Sequence, residues 1–253
     1  MFKQAIVRTP AMSMINGLST AGLGRPDYHK ACHQHQSYIA ALKRCGLEVT
    51  VLQASEDYPD SCFVEDVALL TPKCAILTNP GAPSRRGEVG LIEDAVRRVR
   101  HKVLKISSPG FVEAGDVMMV GNHYYIGLSE RTNQLGADQL IGILQQYGMS
   151  GSVVPMSEML HLKTGLSYLE NNKLLACGEF VDKAEFRDYE ILEIAAKDRY
   201  SANSVWINGT VLVPQGFPTT LTTIENAGYP VLEIDVSEFQ KLDGGLSCLS
   251  LRF

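Results

Sequence analysis

Pairs of apolar runs separated by a short polar turn recur in four segments of the chain, and each segment predicts a β-hairpin. In each one a turn residue precedes a mostly apolar run, a short polar turn and a second apolar run. The dipeptides Gly121-Asn122, Asn171-Asn172 and Asn208-Gly209 stand at three of the polar turns, and these residue types accept the positive φ that tight hairpin turns need. The residues that align the four segments are Asp66, Asp116, Gly165 and Asn203.

Amphipathic helices are predicted between the hairpins. The stretches 88–100 and 133–147 have apolar residues at helical spacing, and Gly148 is a typical stop for the second. The interval after the third hairpin leaves room only for a small helix near 183–187. A short apolar run follows each helix, so the repeating unit is strand, strand, helix, strand. The residues expected on the buried helix faces are Leu91, Ile92, Ala95, Val96 and Val99, and then Leu135, Ile141, Leu144 and Tyr147.

A fifth unit is split between the two ends of the chain. Its first strand is predicted over 246–253, and a strand at 2–8, a helix at 26–45 and a strand at 47–52 complete it. Such a split implies a closed ring, because closure protects sheet edges that an open array exposes. The predicted fold class is therefore α/β, a five-bladed α/β propeller of ββαβ repeats that forms one catalytic domain over 1–253. An open mixed α/β sheet with coincidental spacing is the alternative.

Composition and charge narrow the class of partner. The 253 residues are 45% hydrophobic and carry a net charge of −5, so the chain can bury a full core but lacks the basic surface that nucleic acid or an anionic membrane requires. The first residues lack the apolar region of a signal peptide, and no apolar run approaches the length of a membrane span. We therefore expect a cytoplasmic protein that binds a small molecule.

The six cysteines are scattered without a CxxC pair, which predicts free thiols rather than a disulfide framework. Cys32, His33 and His35 are residue types that bind metals. They lie, however, within the predicted helix over 26–45, whose apolar positions have helical spacing, and no second ligand group with suitable spacing accompanies them. A packed helix face is therefore favoured over a metal site.

Equivalent positions of the five units are expected to meet near the axis of the ring. Glu65 and Asp66 stand at the first unit, Glu113 at the second, His161 at the third and Cys248 at the fifth. A thiol and an imidazole in one pocket suffice for covalent catalysis, because the thiolate attacks and the imidazole carries protons. Each residue taken alone is better explained by a place in the core, but their shared register reverses that preference and favours a catalytic pair.

The acidic residues of this predicted pocket suit a substrate that is cationic and planar. Glu65, Asp66 and Glu113 could bind the N–H groups of a guanidinium and hold its carbon over the sulfur. Arg85 and Arg131 follow their hairpins at similar distances and could line the rim of the pocket, where a two-pronged guanidinium suits a substrate carboxylate.

Several motifs together resemble one known family. They are Phe63-Val64-Glu65-Asp66, Ser84-Arg85-Arg86-Gly87-Glu88, Val112-Glu113-Ala114-Gly115-Asp116, His161-Leu162-Lys163-Thr164-Gly165 and Asp243-Gly244-Gly245-Leu246-Ser247-Cys248. In this combination the chain resembles the dimethylarginine dimethylaminohydrolases of the pentein superfamily, in their short bacterial form, from its first residue to its last. The resemblance implies a five-bladed propeller that needs no metal or organic cofactor and that hydrolyses Nω-methylated arginines to citrulline plus a methylamine.

The resemblance also implies a role for each matching residue. Cys248 would be the nucleophile and His161 the general acid and base, while Glu113 would orient His161 or the substrate. Glu65 and Asp66 would hold the guanidinium group.

The other end of the substrate would be held by a second set of residues. Arg85 and Arg131 would bind the α-carboxylate and Asp60 the α-amine. Leu18 matches a lid residue that contacts substrate, and Leu242 is an apolar neighbour of the thiol.

Other functions compatible with the sequence stay open. An arginine deiminase would use the same residues, but its known forms carry an inserted helical domain for which this chain leaves no segment. Another guanidino or ureido hydrolase, or a non-catalytic propeller that binds through its surface, is the further alternative. The family resemblance also makes a homodimer a reasonable expectation.

Overall fold

Fifteen short strands build five three-stranded sheets in this computed structural model, which describes residues 1–253. The chain divides into two compact units. Unit 1 comprises 1–64 and 203–253, and unit 2 comprises 65–202. None of the helices combines the length and the apolar character that a membrane-spanning segment needs.

The strands and helices are short and follow each other in a regular order. The strands are β1 Gln4–Arg8, β2 Glu48–Leu52, β3 Ala68–Leu70, β4 Ala75–Leu77, β5 Val103–Lys105, β6 Val117–Val120, β7 His123–Leu128, β8 Ser150–Pro155, β9 Leu166–Tyr168, β10 Lys173–Ala176, β11 Glu190–Glu193, β12 Val205–Ile207, β13 Thr210–Pro214, β14 Val231–Ile234 and β15 Leu251–Arg252. The helices are α1 Tyr28–Arg44, α2 Glu88–Val99, α3 Gln134–Gln146, α4 Leu162–Gly165, α5 Pro218–Asn226 and α6 Ser237–Gln240.

All five sheets repeat one pairing pattern. A central strand pairs antiparallel with one neighbour and parallel with the other. Unit 2 contains the sheets β3-β4-β5, β6-β7-β8 and β9-β10-β11, and unit 1 contains β12-β13-β14 and β15-β1-β2. In the last sheet the C-terminal strand β15 lies against β1 at the opposite terminus, with Ile6 opposite Leu251.

The four predicted hairpins are present, and the three later turns contain the expected residues with positive φ. Asn171, Asn172 and Asn208 have positive φ, as do Gly121 and Gly209. Asparagine and glycine tolerate this left-handed region, which twists the two strands of each hairpin toward each other. The turn residues therefore fix where each sheet folds back on itself.

A short helical turn precedes the first strand of each sheet. These turns are Val64–Val67, Ala114–Asp116, α4, Ala196–Ala202 and Ser247–Leu249. The prediction of one strand over 246–253 was therefore wrong, because a 3-10 turn carries Cys248 and only Leu251–Arg252 extend as β15. Asp66 and Cys248 lie within two of these turns. His161 lies directly before a third, α4.

The predicted helices are present, but their buried faces differ in part from the prediction. Leu91 and Leu135 are exposed, whereas Glu88 of α2 and Gly136 of α3 are buried. A Cβ added to Gly136 would lie 2.0 Å from the carbonyl oxygen of Phe111. Small residues therefore determine which face of α3 makes contact, because they permit close approach of the backbone. A count of apolar positions does not detect this effect. The small helix expected near 183–187 is a 3-10 turn, Ala184–Phe186.

The structure of helix α1 confirms that His35 is part of a packed helix face. His35 is buried and its ring lies 6.4 Å from that of Phe239. The buried face also includes Gln34 and Tyr38, which the apolar spacing did not indicate. The polar atoms of both side chains form hydrogen bonds within unit 1. Gln34 Oε1, for example, accepts the backbone N–H of Glu238 at 3.0 Å.

Candidate active site

His161 is placed by the turn that opens the third sheet of unit 2. It occupies the position before α4 with an extended backbone, φ −136° and ψ 157°. Asp116 fixes that turn, because its Oδ1 accepts the backbone N–H of Leu162 at 2.9 Å and its Oδ2 accepts the hydroxyl of Ser129 at 2.7 Å. Fully buried, Asp116 thus serves to hold the segment that carries the imidazole.

A buried carboxylate holds the imidazole of His161. Glu113 Oε2 lies 2.8 Å from His161 Nε2, and the Glu113 side chain has no exposed surface. The other oxygen, Oε1, accepts the backbone N–H of Ala82 at 3.0 Å and lies 3.5 Å from an Arg131 guanidinium nitrogen. Glu113 therefore has one orientation, and it fixes the ring of His161 in turn.

Asp66 belongs to the same group through a buried arginine. An Arg85 guanidinium nitrogen lies 2.5 Å from Asp66 Oδ2, and another lies 2.7 Å from Glu88 Oε2. Asp66 Oδ1 accepts the backbone N–H of Gly115 at 3.0 Å. All three side chains are buried, so the guanidinium charge is matched by two carboxylates in a place where an unmatched charge would be expensive. We call Asp66, Arg85, Glu88, Glu113 and His161 the His161 cluster.

Gly115 allows this cluster to pack tightly. A Cβ added to Gly115 would lie 2.7 Å from Asp66 Oδ1 and 2.9 Å from His161 Nδ1. Both separations are too short for a real Cβ. Any side chain at position 115 would therefore displace the imidazole or the carboxylate.

The charges of the cluster set the protonation of His161. Burial alone lowers the pKa of His161, but the negative charges of Asp66, Asp116 and Glu113 outweigh it and raise the pKa to about 9. Burial raises the pKa of Glu113, whereas the hydrogen bond and charge of His161, the charge of Arg85 and the N–H of Ala82 outweigh it and lower the pKa to about 2. At neutral pH the pair is therefore an imidazolium and a carboxylate.

Three residues of this cluster have donor atoms close enough together for a metal ion. The ligand atoms of Asp66, Glu113 and His161 all lie within 4.8 Å of one another. The four carboxylate oxygens already accept from Arg85, Gly115, Ala82 and His161. A cation would have to displace these donors. That the protein needs no metal stays a prediction.

Glu65 has a different partner from its neighbour Asp66. Its Oε1 lies 2.7 Å from the ammonium nitrogen of Lys163, two residues after His161. Both side chains are largely buried, with 6% and 15% of their surface exposed. An acid predicted to hold a guanidinium thus already has a cation beside it.

Cys248 lies in unit 1, where a turn and not a strand presents its thiol. Its Sγ accepts the backbone N–H of Gly245 at 3.4 Å, and its own N–H donates to the carbonyl of Gly245 at 3.2 Å. The thiol is partly exposed and belongs to no disulfide. A backbone donor on sulfur stabilises the thiolate over the thiol, as a nucleophile requires.

Leu18, Asp60 and Leu242 lie near one another in unit 1. Asp60 Oδ1 accepts the backbone N–H of Leu18 at 3.0 Å, and a Cβ added to Gly17 would lie 2.7 Å from Asp60 Oδ1 and 3.3 Å from Leu242 Cδ1. Asp60 and Leu242 are buried, whereas Leu18 is 41% exposed. The loop continues to Thr20, whose N–H donates to Asp243 Oδ2 at 2.5 Å. Carboxylates thus fix this loop beside the segment that leads to Cys248.

Sequence reasoning missed two side chains of these groups. Glu88 was quoted only as part of a motif, although it lies three residues after Arg85 and such a spacing permits an ion pair. Lys163 was likewise given no role. The signal for Lys163 is its place two residues after the histidine, but nothing in the linear pattern shows that it meets Glu65.

Comparisons with known proteins agree with this fold over the whole chain. A family model described as "N,N dimethylarginine dimethylhydrolase, eukaryotic" matches residues 26–200. The N(G),N(G)-dimethylarginine dimethylaminohydrolase of Pseudomonas aeruginosa is 55% identical over 254 residues, with 100% of both chains covered.

Two solved structures resemble this chain to the same degree. The dimethylarginine dimethylaminohydrolase of Pseudomonas aeruginosa, as a cysteine-to-serine variant with citrulline, superposes with a TM-score of 0.99 at 55% identity over 100% of both chains. A histidine-to-glycine variant of a dimethylarginine dimethylaminohydrolase, an adduct with S-methyl-L-thiocitrulline, gives the same values.

The fold class follows first from these findings. The five sheets and the full-length superposition confirm the predicted α/β propeller class of five ββαβ repeats. Within that class, the chain belongs to the dimethylarginine dimethylaminohydrolase family.

Proposed function

We propose that this protein hydrolyses Nω-methylated arginines to citrulline and a methylamine, with Cys248 as nucleophile and His161 as general acid and base. The observation that carries the proposal is the buried pair of His161 and Glu113, whose atoms lie 2.8 Å apart and whose charges keep the imidazole protonated. Membership of the family supports the same function, since the Pseudomonas aeruginosa relative bears the name of this activity.

The first half of the reaction uses the proton on His161. The thiolate of Cys248 adds to the guanidinium carbon, and His161 gives its proton to the nitrogen that carries the methyl groups. The carbon–nitrogen bond breaks, the neutral methylamine leaves and a covalent thiouronium remains on the sulfur. A pKa of about 9 for His161 suits this step, because the acid is already protonated at neutral pH.

The second half returns the protein to its starting state. Neutral His161 takes a proton from water, and the resulting hydroxide adds to the thiouronium carbon. The tetrahedral adduct expels the thiolate, and its hydroxyl proton passes to solvent, which leaves the neutral ureido group of citrulline. His161 ends protonated again, so one imidazole serves both halves without a net change in protons on the protein.

The remaining site residues are proposed to bind the substrate. Glu65 and Asp66 hold the guanidinium through charged hydrogen bonds, each beside its own cation, Lys163 and Arg85 respectively. The larger share of specificity for a cationic substrate would come from these acids.

The amino-acid end of the substrate is proposed to meet a separate set of groups. Arg131 and Arg85 bind the α-carboxylate, and Asp60 binds the α-amine. The loop at Leu18 covers the substrate, with Leu242 as an apolar contact. Since Arg85 also pairs with Asp66 and Glu88, we expect Arg131, whose side chain is 20% exposed, to contribute more to carboxylate binding.

Mass spectrometry of protein quenched with acid during turnover of dimethylarginine tests the proposal. We expect a mass increase on the peptide that contains Cys248, citrulline as product, and loss of both in Cys248→Ser, while Cys32→Ser is unaffected. An adduct on another residue, hydrolysis by Cys248→Ser, or faster turnover of arginine than of dimethylarginine would overturn it. The last outcome would indicate a deiminase.

Two further features belong to the proposal. We place the protein in the cytoplasm. We also expect a homodimer, and light scattering of the purified protein tests this oligomeric state directly. A monomer at micromolar concentration would contradict the dimer without affecting the proposed chemistry.

A further inference from the structure

Cys248 depends on side-chain contacts for its position, because it lies in a short turn and not in a strand or a long helix. Its Sγ receives the N–H of Gly245 at 3.4 Å. That hydrogen bond exists only while the backbone from Gly245 to Cys248 keeps its present path. Any side chain that fixes this path therefore also fixes the environment of the sulfur.

One buried amide contacts this path on both sides. Asn203 Oδ1 accepts the backbone N–H of Ser247 at 2.9 Å, and Asn203 Nδ2 donates to Ser247 Oγ at 3.0 Å. Asn203 and Ser247 are 5% and 4% exposed. The backbone N–H is only a donor, so it settles which amide atom is the oxygen and gives the side chain a single orientation.

The same amide packs directly against the donor to sulfur. A Cβ added to Gly245 would lie 2.5 Å from both Cγ and Oδ1 of Asn203. The amide therefore touches the residue whose N–H points at Cys248 and hydrogen-bonds the residue next to Cys248. Along the chain, Asn203 stands between the 3-10 helix Ala196–Ala202 and strand β12.

Other contacts fix the far side of the turn. Tyr38 donates its hydroxyl to the carbonyl of Leu246 at 2.8 Å, and an Arg252 guanidinium nitrogen donates to the carbonyl of Ser247 at 3.1 Å. Asn203 binds the near side of the turn, at the backbone N–H and the hydroxyl of the residue adjacent to Cys248.

We propose that Asn203 is a positioning residue for the nucleophile: by binding both polar groups of Ser247, it holds the N–H of Gly245 against the sulfur of Cys248. The proposal rests on the function proposed above only in taking Cys248 as the nucleophile. Asn203 does not touch the substrate in this role. Its contribution is to keep a hydrogen-bond donor on the sulfur of Cys248 before any substrate binds.

Alkylation of the substrate-free protein by iodoacetamide over a range of pH tests this proposal. Peptide mass spectrometry gives the rate at Cys248 relative to that at Cys32, which is also partly exposed and serves as an internal reference. We expect Asn203→Ala to slow Cys248 about tenfold at neutral pH, the effect of one hydrogen bond to a charged group, and to move the rise of the rate to higher pH.

Variants of Ser247 separate positioning from general loosening. Ser247→Ala keeps the bond from its backbone N–H and should slow Cys248 by a smaller factor, whereas Ser247→Thr keeps the hydroxyl and should restore the rate. The matched control is Asn208→Ala, since Asn208 also binds backbone groups of unit 1, at Phe2 and Cys45, but lies at a hairpin turn. Its ratio of Cys248 to Cys32 should stay unchanged even if its melting temperature falls.

The outcomes divide cleanly. Equal ratios in wild type, Asn203→Ala and Ser247→Ala would overturn the proposal. If Asn203→Ala also exposes the buried Cys62, Cys74 and Cys177 to alkylation, the Ser247 variants decide the question. A Cys248-to-Cys32 rate ratio that is lowered in Ser247→Ala and restored in Ser247→Thr supports the proposal. Equal ratios in these two variants contradict the proposal. Alkylation requires no turnover, so this result is independent of whether dimethylarginine is the substrate.

Discussion

His35 and His161 are both buried, yet their surroundings leave His35 neutral and His161 positively charged at neutral pH. His35 is 2% exposed and His161 is 8% exposed. His35 lies on helix α1 beside Phe239, and its Nε2 has no hydrogen-bond partner in the protein. His161 lies 2.8 Å from the carboxylate of Glu113 and near those of Asp66 and Asp116.

The pKa values of the two imidazoles separate accordingly. Burial lowers the pKa of His35 to about 4, because nothing nearby compensates the charged form. For His161 the same penalty is outweighed by three acids, and the pKa rises to about 9. Burial itself therefore does not decide whether a histidine can act as an acid at neutral pH; the charges around it do.

Replacing each histidine by glutamine should give the largest difference in catalytic activity between the two positions. We expect His161→Gln to lower kcat/KM for dimethylarginine by about 10³-fold or more, since it removes the proton donor to the leaving amine. His35→Gln should leave kcat/KM within about threefold, because His35 belongs to the packed face of α1. Steady-state assays of citrulline formation measure both, and equal losses would break the contrast.

A methyl group placed beside His161 should disturb the cluster without changing its charges. Gly115→Ala is expected to lower kcat about 100-fold, because the new Cβ would collide with Asp66 Oδ1 and His161 Nδ1. The control is Gly142→Ala in helix α3, where nothing lies within 4 Å of the added Cβ. Full activity of Gly115→Ala would show that the close packing around the imidazole is not needed.

Removing the charge of Glu113 should move the pH dependence of catalysis. Glu113→Gln keeps the shape of the side chain but withdraws a negative charge that stabilises the imidazolium, so the pKa of His161 should fall. The alkaline decline of kcat/KM, expected near pH 9 in the wild type, should then shift to lower pH, with about tenfold lower activity at pH 8. Glu93→Gln, at an exposed carboxylate of helix α2, should leave the profile unchanged.

The stability of the fold should depend on the two histidines in opposite pH ranges. Between pH 4 and 6.5 the unfolded chain binds a proton that native His35 rejects, so the free energy of unfolding rises with pH by about 3 kcal/mol from this group. The contribution of His161 is fully present below pH 6.5 and is lost as the pH rises toward 9.

Urea unfolding at several pH values measures this dependence. His35→Gln should flatten the acidic part of the curve and His161→Gln the alkaline part, whatever the absolute stability of each variant. The same slope in wild type and His35→Gln between pH 4 and 6.5 would contradict the low pKa of His35.

Much of the fold could be predicted from local chemistry. The positive φ of Asn172 and Asn208 follows from residue type, and helical spacing placed α2 and α3. The turn around Cys248 could not be predicted in this way, since Leu246 to Phe253 has the apolar pattern of a strand. Side chains distant in the sequence, Tyr38 and Asn203, fix it as a turn instead.

The proximity of three candidate residues could be predicted from the sequence, but the ion pairs around them could not. Shared register pointed to Asp66, Glu113 and His161, which do lie together. The pairing of Arg85 with Asp66, and of Lys163 with Glu65, depends on distances between segments that spacing along the chain does not determine. The different charge states of His35 and His161 arise in the same way, from neighbours that only the folded chain provides.

NMR titration of the histidine side chains, assigned with His35→Gln and His161→Gln, tests the central claim most directly. The charges around His161 predict that it stays protonated through neutral pH and titrates near 9, while His35 stays neutral until the pH approaches 4. A His161 that titrates at or below the ordinary value of 6.5 would contradict its role as the proton donor, and with it the mechanism proposed for Cys248.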